Sequence, residues 1–148
     1  MTKPDHVSHE PCPVARATSL IGDRWSLLIV RDAFDGIRRF SDFQRNLGVA
    51  RNILSDRLRR LVDAGILVPR AAAEGSAYQE YVLTDVGEDL FPVVLALRQW
   101  GERALYAPGE AHSELIETRT GNPVPLMRPR SADDSELTPH DTRVRKLA

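Results

Sequence analysis

The stretch FSDFQRNLGVARNILSDRLRRLVDA, residues 40–64, decides the fold. Its first five residues carry a capping-box pattern, in which Ser41 accepts from the N–H three residues on and Gln44 reaches back. Phe43 and Leu47 supply the apolar face of a short helix, and Gly48-Val49 makes a tight turn. A second helix is expected from Ala50 to Ala64, because Leu54, Leu58, Leu61 and Val62 recur at i, i+4, i+7 and i+8. Its opposite flank carries Asn52, Asp56, Arg59 and Arg60. Two helices joined by a short glycine-containing turn, the second rich in arginine, make a helix-turn-helix pattern.

Upstream, Pro13 suits the first turn of a helix, where its missing N–H costs nothing. Val14, Ala17, Leu20 and Ile21 keep helical spacing up to Gly22. Asp23 is a candidate N-cap for a further helix that carries Trp25, Leu28 and Ile29 to the Asp35-Gly36 turn. Downstream, Gly65 stands where a helix ends on a left-handed residue. Ile66–Val68 and Tyr78–Leu83 then read as a strand and its return, a β-hairpin wing with a loop from Ala71 to Ala77. Thr84 is expected to cap a long helix whose apolar set is Leu90, Val93, Val94, Leu97, Trp100, Ala104 and Leu105. Pro92 should bend that helix, because its ring displaces the carbonyl of Glu88. The fold class is therefore mainly α with a small β-hairpin wing (α+β), a winged helix-turn-helix with a long C-terminal helix. Three regions follow: a flexible arm at 1–11, the winged domain at 12–106, and an extension at 107–148. The extension is either a flexible tail or a small hairpin from Leu115–Thr118 and Val124–Met127 about Gly121-Asn122.

Charge is distributed unevenly although the formal net charge is only -1. Arg38, Arg39, Arg45, Arg51, Arg57, Arg59 and Arg60 face only Asp42 and Asp56 between residues 38 and 60, whereas acids dominate from Glu74 to Glu117. The first stretch suits a polyanion and the second would repel it. With 42% hydrophobic and 28% charged residues, the composition is that of a soluble globular chain. The lack of a signal stretch or a long apolar run, together with the single cysteine, points to the cytoplasm and away from membranes. No Gly-rich phosphate loop, metal-ligand set or nucleophile–base spacing suggests an enzyme or a cofactor.

The runs Cys12-Pro13-Val14, Gly22–Ile29, Arg39–Phe43, Leu54–Leu58, Ala64–Leu67 and Tyr81–Thr84, with Gly87, Pro92, Leu97 and Trp100-Gly101, resemble the HxlR-type regulators. These are relatives of the MarR-like winged helix proteins. The resemblance implies a transcriptional regulator that binds double-stranded DNA as a homodimer, each subunit reading half of a near-palindromic operator, in the sense of a repressor. It places the partner contacts on the helices after Pro13 and Thr84, hence Val14, Leu90, Val94, Leu97, Trp100 and Leu105. In several members the cysteine matching Cys12 senses electrophiles or oxidants. The wing loop Ala71–Ser76 departs from the family in lacking the basic residues such wings often use.

Arginine matches phosphate geometry and releases counterions, while Asn, Arg and Ser can pair with base edges in the major groove. Arg51, Asn52 and Ser55, early in the second motif helix, are therefore the candidates for base edges, with Arg59 nearer the backbone. Arg38, Arg39 and Ser41 are placed for phosphates, and Arg70 for a wing contact. Asp56 either accepts from cytosine N4 or orients an arginine. Arg57 lies off the outward face and is a candidate structural ion-pair partner. Cys12 precedes a helix N-terminus, whose dipole favours a thiolate, and is either a sensor of oxidants or an inert thiol. His6, His9 and Cys12 fall at intervals of three, too few ligands for a metal site. Trp25 and Trp100 either pack or line an effector pocket. The rival to DNA binding is a winged helix that engages protein alone, whose recognition helix would be apolar or acidic.

Overall fold

A computed structural model describes residues 7–73 and 77–148. The chain divides into two compact units between Val94 and Leu95. In the first, α1 (Pro13–Ile21), α2 (Arg24–Phe34), α3 (Phe40–Leu47) and α4 (Arg51–Asp63) lead into a two-stranded antiparallel sheet of β1 (Leu67–Ala71) and β2 (Gln79–Leu83). The strands pair with Leu67 opposite Leu83 and Ala71 opposite Gln79. A short α5 (Asp85–Glu88) follows, then α6 (Phe91–Ala104), which continues into the second unit.

Local chemistry explains the boundaries. Pro13 occupies the first turn of α1, and the Asp23 carboxylate accepts from the Ser26 amide to open α2. Gly48, at φ 63°, closes α3 by donating to the Gln44 carbonyl. Helix α4 ends in a Schellman arrangement: Ile66 N–H donates to Leu61 O and Gly65 N–H to Val62 O, with Gly65 at φ 76°. The core forms where these helices meet. Ile29, Val30, Phe43, Leu54, Leu58, Leu61 and Leu67 are all but fully buried, with α2 packed on α3 and α4. Val7, expected in a flexible arm, is also buried. Residues 1–6 of that arm, and hence His6, lie outside the described residues, as do Glu74, Gly75 and Ser76 of the wing loop.

Two local expectations are corrected. Ser41 does not cap α3: the helix already begins at Phe40, with Arg39 as N-cap and no side-chain cap. The Asp42 and Phe43 amides donate to the Arg39 carbonyl, so Ser41 sits inside the first turn instead of ahead of it. Nor does one long helix run from Thr84. Thr84 accepts from the Gly87 amide as foreseen, but the helix it caps stops at Glu88. A new helix starts at Phe91, which puts Pro92 in a first turn that needs no N–H from it. The proline separates two helices where a bend in one was expected.

In the second unit, Leu95 and Gln99 are buried on one side of α6. Gln99 works as a two-way clamp, donating to the Pro125 carbonyl at 3.0 Å and accepting from the Met127 amide at 2.8 Å. The amide side chain thus gives this stretch of the extension the pairing that a neighbouring strand would. Within the extension Ile116 bridges Pro123, Glu117 N–H donates to Asn122 O, and Val124 N–H donates to Leu115 O. A second bridge joins Arg130 to Glu136, and a 3-10 turn at Pro139–Asp141 is closed by a capping box between Thr138 and Asp141.

Candidate nucleic-acid interface

Burial of Leu54, Leu58 and Leu61 fixes the rotation of α4 about its axis. Helical periodicity then turns Arg51, Asn52, Ser55, Arg59 and Arg60 outward, and all five are exposed. The Arg51 guanidinium lies over the Phe40 ring, 5.0 Å from its centroid, which holds the first cation of α4 against the first residue of α3. Ser41 is exposed in the first turn of α3, where the helical hydrogen bonds begin only with the amides of Asp42 and Phe43. A helix start of this kind favours an anion.

Asp56 is the hub of the outward face. It pairs with Arg57 at 2.6 Å, Arg59 at 2.7 Å and Arg60 at 3.0 Å. Pairs of this kind are what an acid that orients arginines would make, one of its two expected roles. Arg59 remains 70% exposed in its pair, and such surface pairs contribute only about 0–1 kcal/mol, so a phosphate can compete for that guanidinium. Arg57 differs. Only 23% exposed, it reaches back to Asp23 at 3.0 Å and so joins α4 to the N-cap of α2. Arg57 thus makes the ion pair for which it was a candidate. The hydrogen bond it donates to Asp23 holds the Arg57 guanidinium above its usual pKa, ahead of an opposing effect of burial. For Asp23, burial raises the pKa, but hydrogen bonds from Ser26 and Arg57 outweigh it and leave the carboxyl below its usual range.

A second tie joins α2 to α3. Asp32 is fully buried; its Oδ1 accepts from Arg31 at 2.7 Å and its Oδ2 from Asn46 at 2.8 Å. Sequence reasoning gave neither Asp32 nor Asn46 a role.

The wing joins the motif through backbone pairing. Tyr81 N–H donates to Arg38 O at 2.8 Å, and Arg39 bridges Glu80, so the residues leading into α3 act as a third short strand. This brings Arg38 and Arg70 to one acid, with Glu80 at 3.6 Å and 3.8 Å respectively. The Arg39 guanidinium lies 5.3 Å from the Tyr78 ring centroid. The expected phosphate candidates Arg38, Arg39 and Arg70 are therefore gathered at the wing root, with Glu80 as the counterion that sequence reasoning missed. A cleft of about 360 Å³ opens beside them, walled by Phe34, Tyr81, Leu83 and Glu88.

Cys12 is an exposed free thiol at the N-cap of α1. Among the described residues no group of three or more His, Cys, Asp or Glu could hold a metal ion. Of the residues implied for partner contacts, Val14, Leu97, Trp100 and Leu105 are exposed, whereas Leu90 and Val94 are half-buried and pack on the first unit's own core. Trp25 packs partly against that core, with the Arg24 guanidinium 4.8 Å from its ring centroid. Trp100 is 56% exposed. Among the described residues no helix is long and apolar enough to cross a membrane.

The sequence pattern described as HxlR-like helix-turn-helix matches residues 20–108. The chain is 46% identical over 95 residues to Rv3095 of Mycobacterium tuberculosis, described as an HTH-type transcriptional regulator. That alignment covers 64% of the chain and only 60% of the relative's length. Among solved structures, PA1607, described as a candidate transcription factor, superposes with a TM-score of 0.89 at 51% identity, covering 94% of this chain and 97% of that one. The likeness to PA1607 therefore extends into the residues after 108. The reduced form of the redox regulator HypR superposes with a TM-score of 0.57 at 31% identity, over 62% of this chain and 92% of that one.

Proposed function

Because the chain belongs to the HxlR-like helix-turn-helix family, we propose that it regulates transcription by gripping a near-palindromic operator as a homodimer. One observation carries this reading: the buried Leu54, Leu58 and Leu61 leave Arg51, Asn52, Ser55 and Arg59 together on the exposed side of α4. Arg51, Asn52 and Ser55 read base edges, while Arg59, with Arg38, Arg39, Ser41 and Arg70, holds phosphates. Asp56 keeps the arginines of α4 in position. Phosphate neutralisation supplies affinity and the base contacts supply specificity.

The dimer forms through the exposed apolar side of α6, with α1 contributing. Val93, Leu97 and Trp100 stand at i, i+4 and i+7 and are all exposed, an arrangement that leaves apolar surface for a second copy. Two recognition helices about 34 Å apart would then meet successive turns of the major groove. Bound operator excludes the transcription machinery, so the regulator acts as a repressor. Oxidants or electrophiles that modify the exposed Cys12 release it; the likeness to the redox regulator HypR supports this part of the reading.

The test is a gel shift of the full chain on the duplex upstream of its own gene, over a series of salt concentrations. Binding should weaken steeply with salt, Arg59→Ala should weaken it on every sequence, and Asn52→Ala should change base preference. Equal losses for Asn52→Ala on operator and random DNA would remove that residue from base reading. Cys12→Ser should retain operator binding and lose release by quinones or diamide; unchanged release would dispose of the sensor.

A further inference from the structure

We infer that Arg143, Arg145 and Lys146 form a second, sequence-independent phosphate-binding element that adds to the grip of α4 on DNA. The inference rests on the DNA-binding reading above and extends it to a segment outside the residues that match the family.

Three observations carry it. First, these cations are unneutralised. Among the described residues none of the three makes a hydrogen bond, ion pair or ring contact, and no acid lies between Asp141 and Ala148. Two arginines elsewhere in the extension come with their own acid: Arg128 pairs with Glu136 at 3.2 Å and Arg130 with Asp134 at 3.7 Å. Second, the segment is not held down. The last backbone hydrogen bond runs from Thr142 N–H to Pro139 O, and every residue from 143 to 148 is exposed, with Val144 at 82% and Leu147 at 81%. Third, the chemistry favours nucleic-acid phosphate over a lipid surface. Membrane recognition by basic segments generally needs about four to eight cations or an amphipathic helix, and here there are three cations without regular structure. Arginine's planar fork suits phosphate oxygens. Tethered to a domain already on DNA, even a weak element acts at high effective concentration.

The experiment uses the full chain and a variant carrying Arg143→Gln, Arg145→Gln and Lys146→Gln. Both are titrated into a mixed-sequence duplex by fluorescence anisotropy over a salt series, with Arg59→Ala as comparison. Each lost phosphate contact lowers the slope of log K against log salt by about 0.9, so the triple variant should lose about 2 to 3 in slope. It should bind on the order of tenfold or more weaker at low salt and converge with the parent at high salt. Thermal unfolding of the two should coincide. An unchanged slope in the triple variant, with a reduced one in Arg59→Ala, overturns this element and leaves the α4 reading standing. Failure of the parent itself to bind duplex DNA at low salt overturns both. Loss of binding to phosphatidylglycerol vesicles with DNA binding intact assigns the segment to lipid and overturns the inference.

Discussion

Arg57 Nε stands 3.0 Å from Asp23 Oδ2, joining α4 to the N-cap of α2. Because Arg57 also pairs with Asp56, one guanidinium links the buried scaffold to the acid that holds Arg59 and Arg60. The pose of the outward arginines is therefore set from below.

The Asp23 carboxylate, held by Ser26 and Arg57, has a pH signature. The folded Asp23 carboxyl titrates below its ordinary range, so its contribution is complete above the unfolded carboxylate pKa of about 4 and is lost as pH falls through the lower folded value. Asp23→Asn should flatten the fall in melting temperature between pH 5 and the most acid buffer tolerated. Curves that stay parallel for parent and variant would show that the hydrogen bonds of the Asp23 carboxylate to Ser26 and Arg57 do not contribute.

Removing Asn46 strips the donor from the buried Asp32 Oδ2. Leaving a buried acceptor without its partner costs about 1–3 kcal/mol, more for a charged group. Asn46→Ala should lower unfolding free energy in urea by that amount; a change below about 0.5 kcal/mol, the range of ordinary surface substitutions, would contradict the bond's importance.

Gly87 is fixed by close approach. A Cβ at this position would stand 2.2 Å from the Ile66 carbonyl oxygen, which already accepts from the Thr84 amide. Gly87→Ala must push α5 off the Ile66 carbonyl that precedes β1, and overpacking of this kind typically costs about 1–3 kcal/mol. A melting temperature equal to the parent's would contradict that contact.

Glu80 restrains the wing root by sharing itself between Arg38 and Arg70. Glu80→Gln should free both for phosphate and raise affinity for random duplex by up to about fivefold, the scale of a surface ion pair. Weaker binding in the variant would mean that Glu80 instead holds the arginines in their binding pose.

Leu97→Glu combined with Trp100→Glu places like charges on the side of α6 proposed to meet a second copy. Light scattering should report a monomer for the variant and a dimer for the parent. A dimer in both would move the interface elsewhere.

The leucine stripe of α4, the glycine stops at Gly48 and Gly65, the Asp23 and Thr84 caps and the hairpin wing were all legible in the sequence, because each depends on neighbours a few residues away. Ser41 misled because a capping box is a pattern of residue types, and whether the helix starts two residues earlier depends on how residues 38–39 pair with the wing. Pro92 was placed in a helix interior because the apolar spacing runs through it; only the turn at Asp89-Leu90 puts it in a first turn. Asp23–Arg57 and Asp32–Asn46 join residues 34 and 14 apart in the chain. No periodicity announces such pairs, so the side chains that aim the arginines emerged only with the fold, while the arginines themselves were evident beforehand.

Selection of duplexes from a random pool by the full chain, followed by sequencing, addresses the central claim most directly. The account predicts enrichment of a near-palindrome with half-sites about 10 bp apart centre to centre, and a changed consensus for Asn52→Ala. Recovery of no common sequence, or of one consensus indifferent to Asn52 and Arg59, would contradict the assignment of α4 as the reading helix.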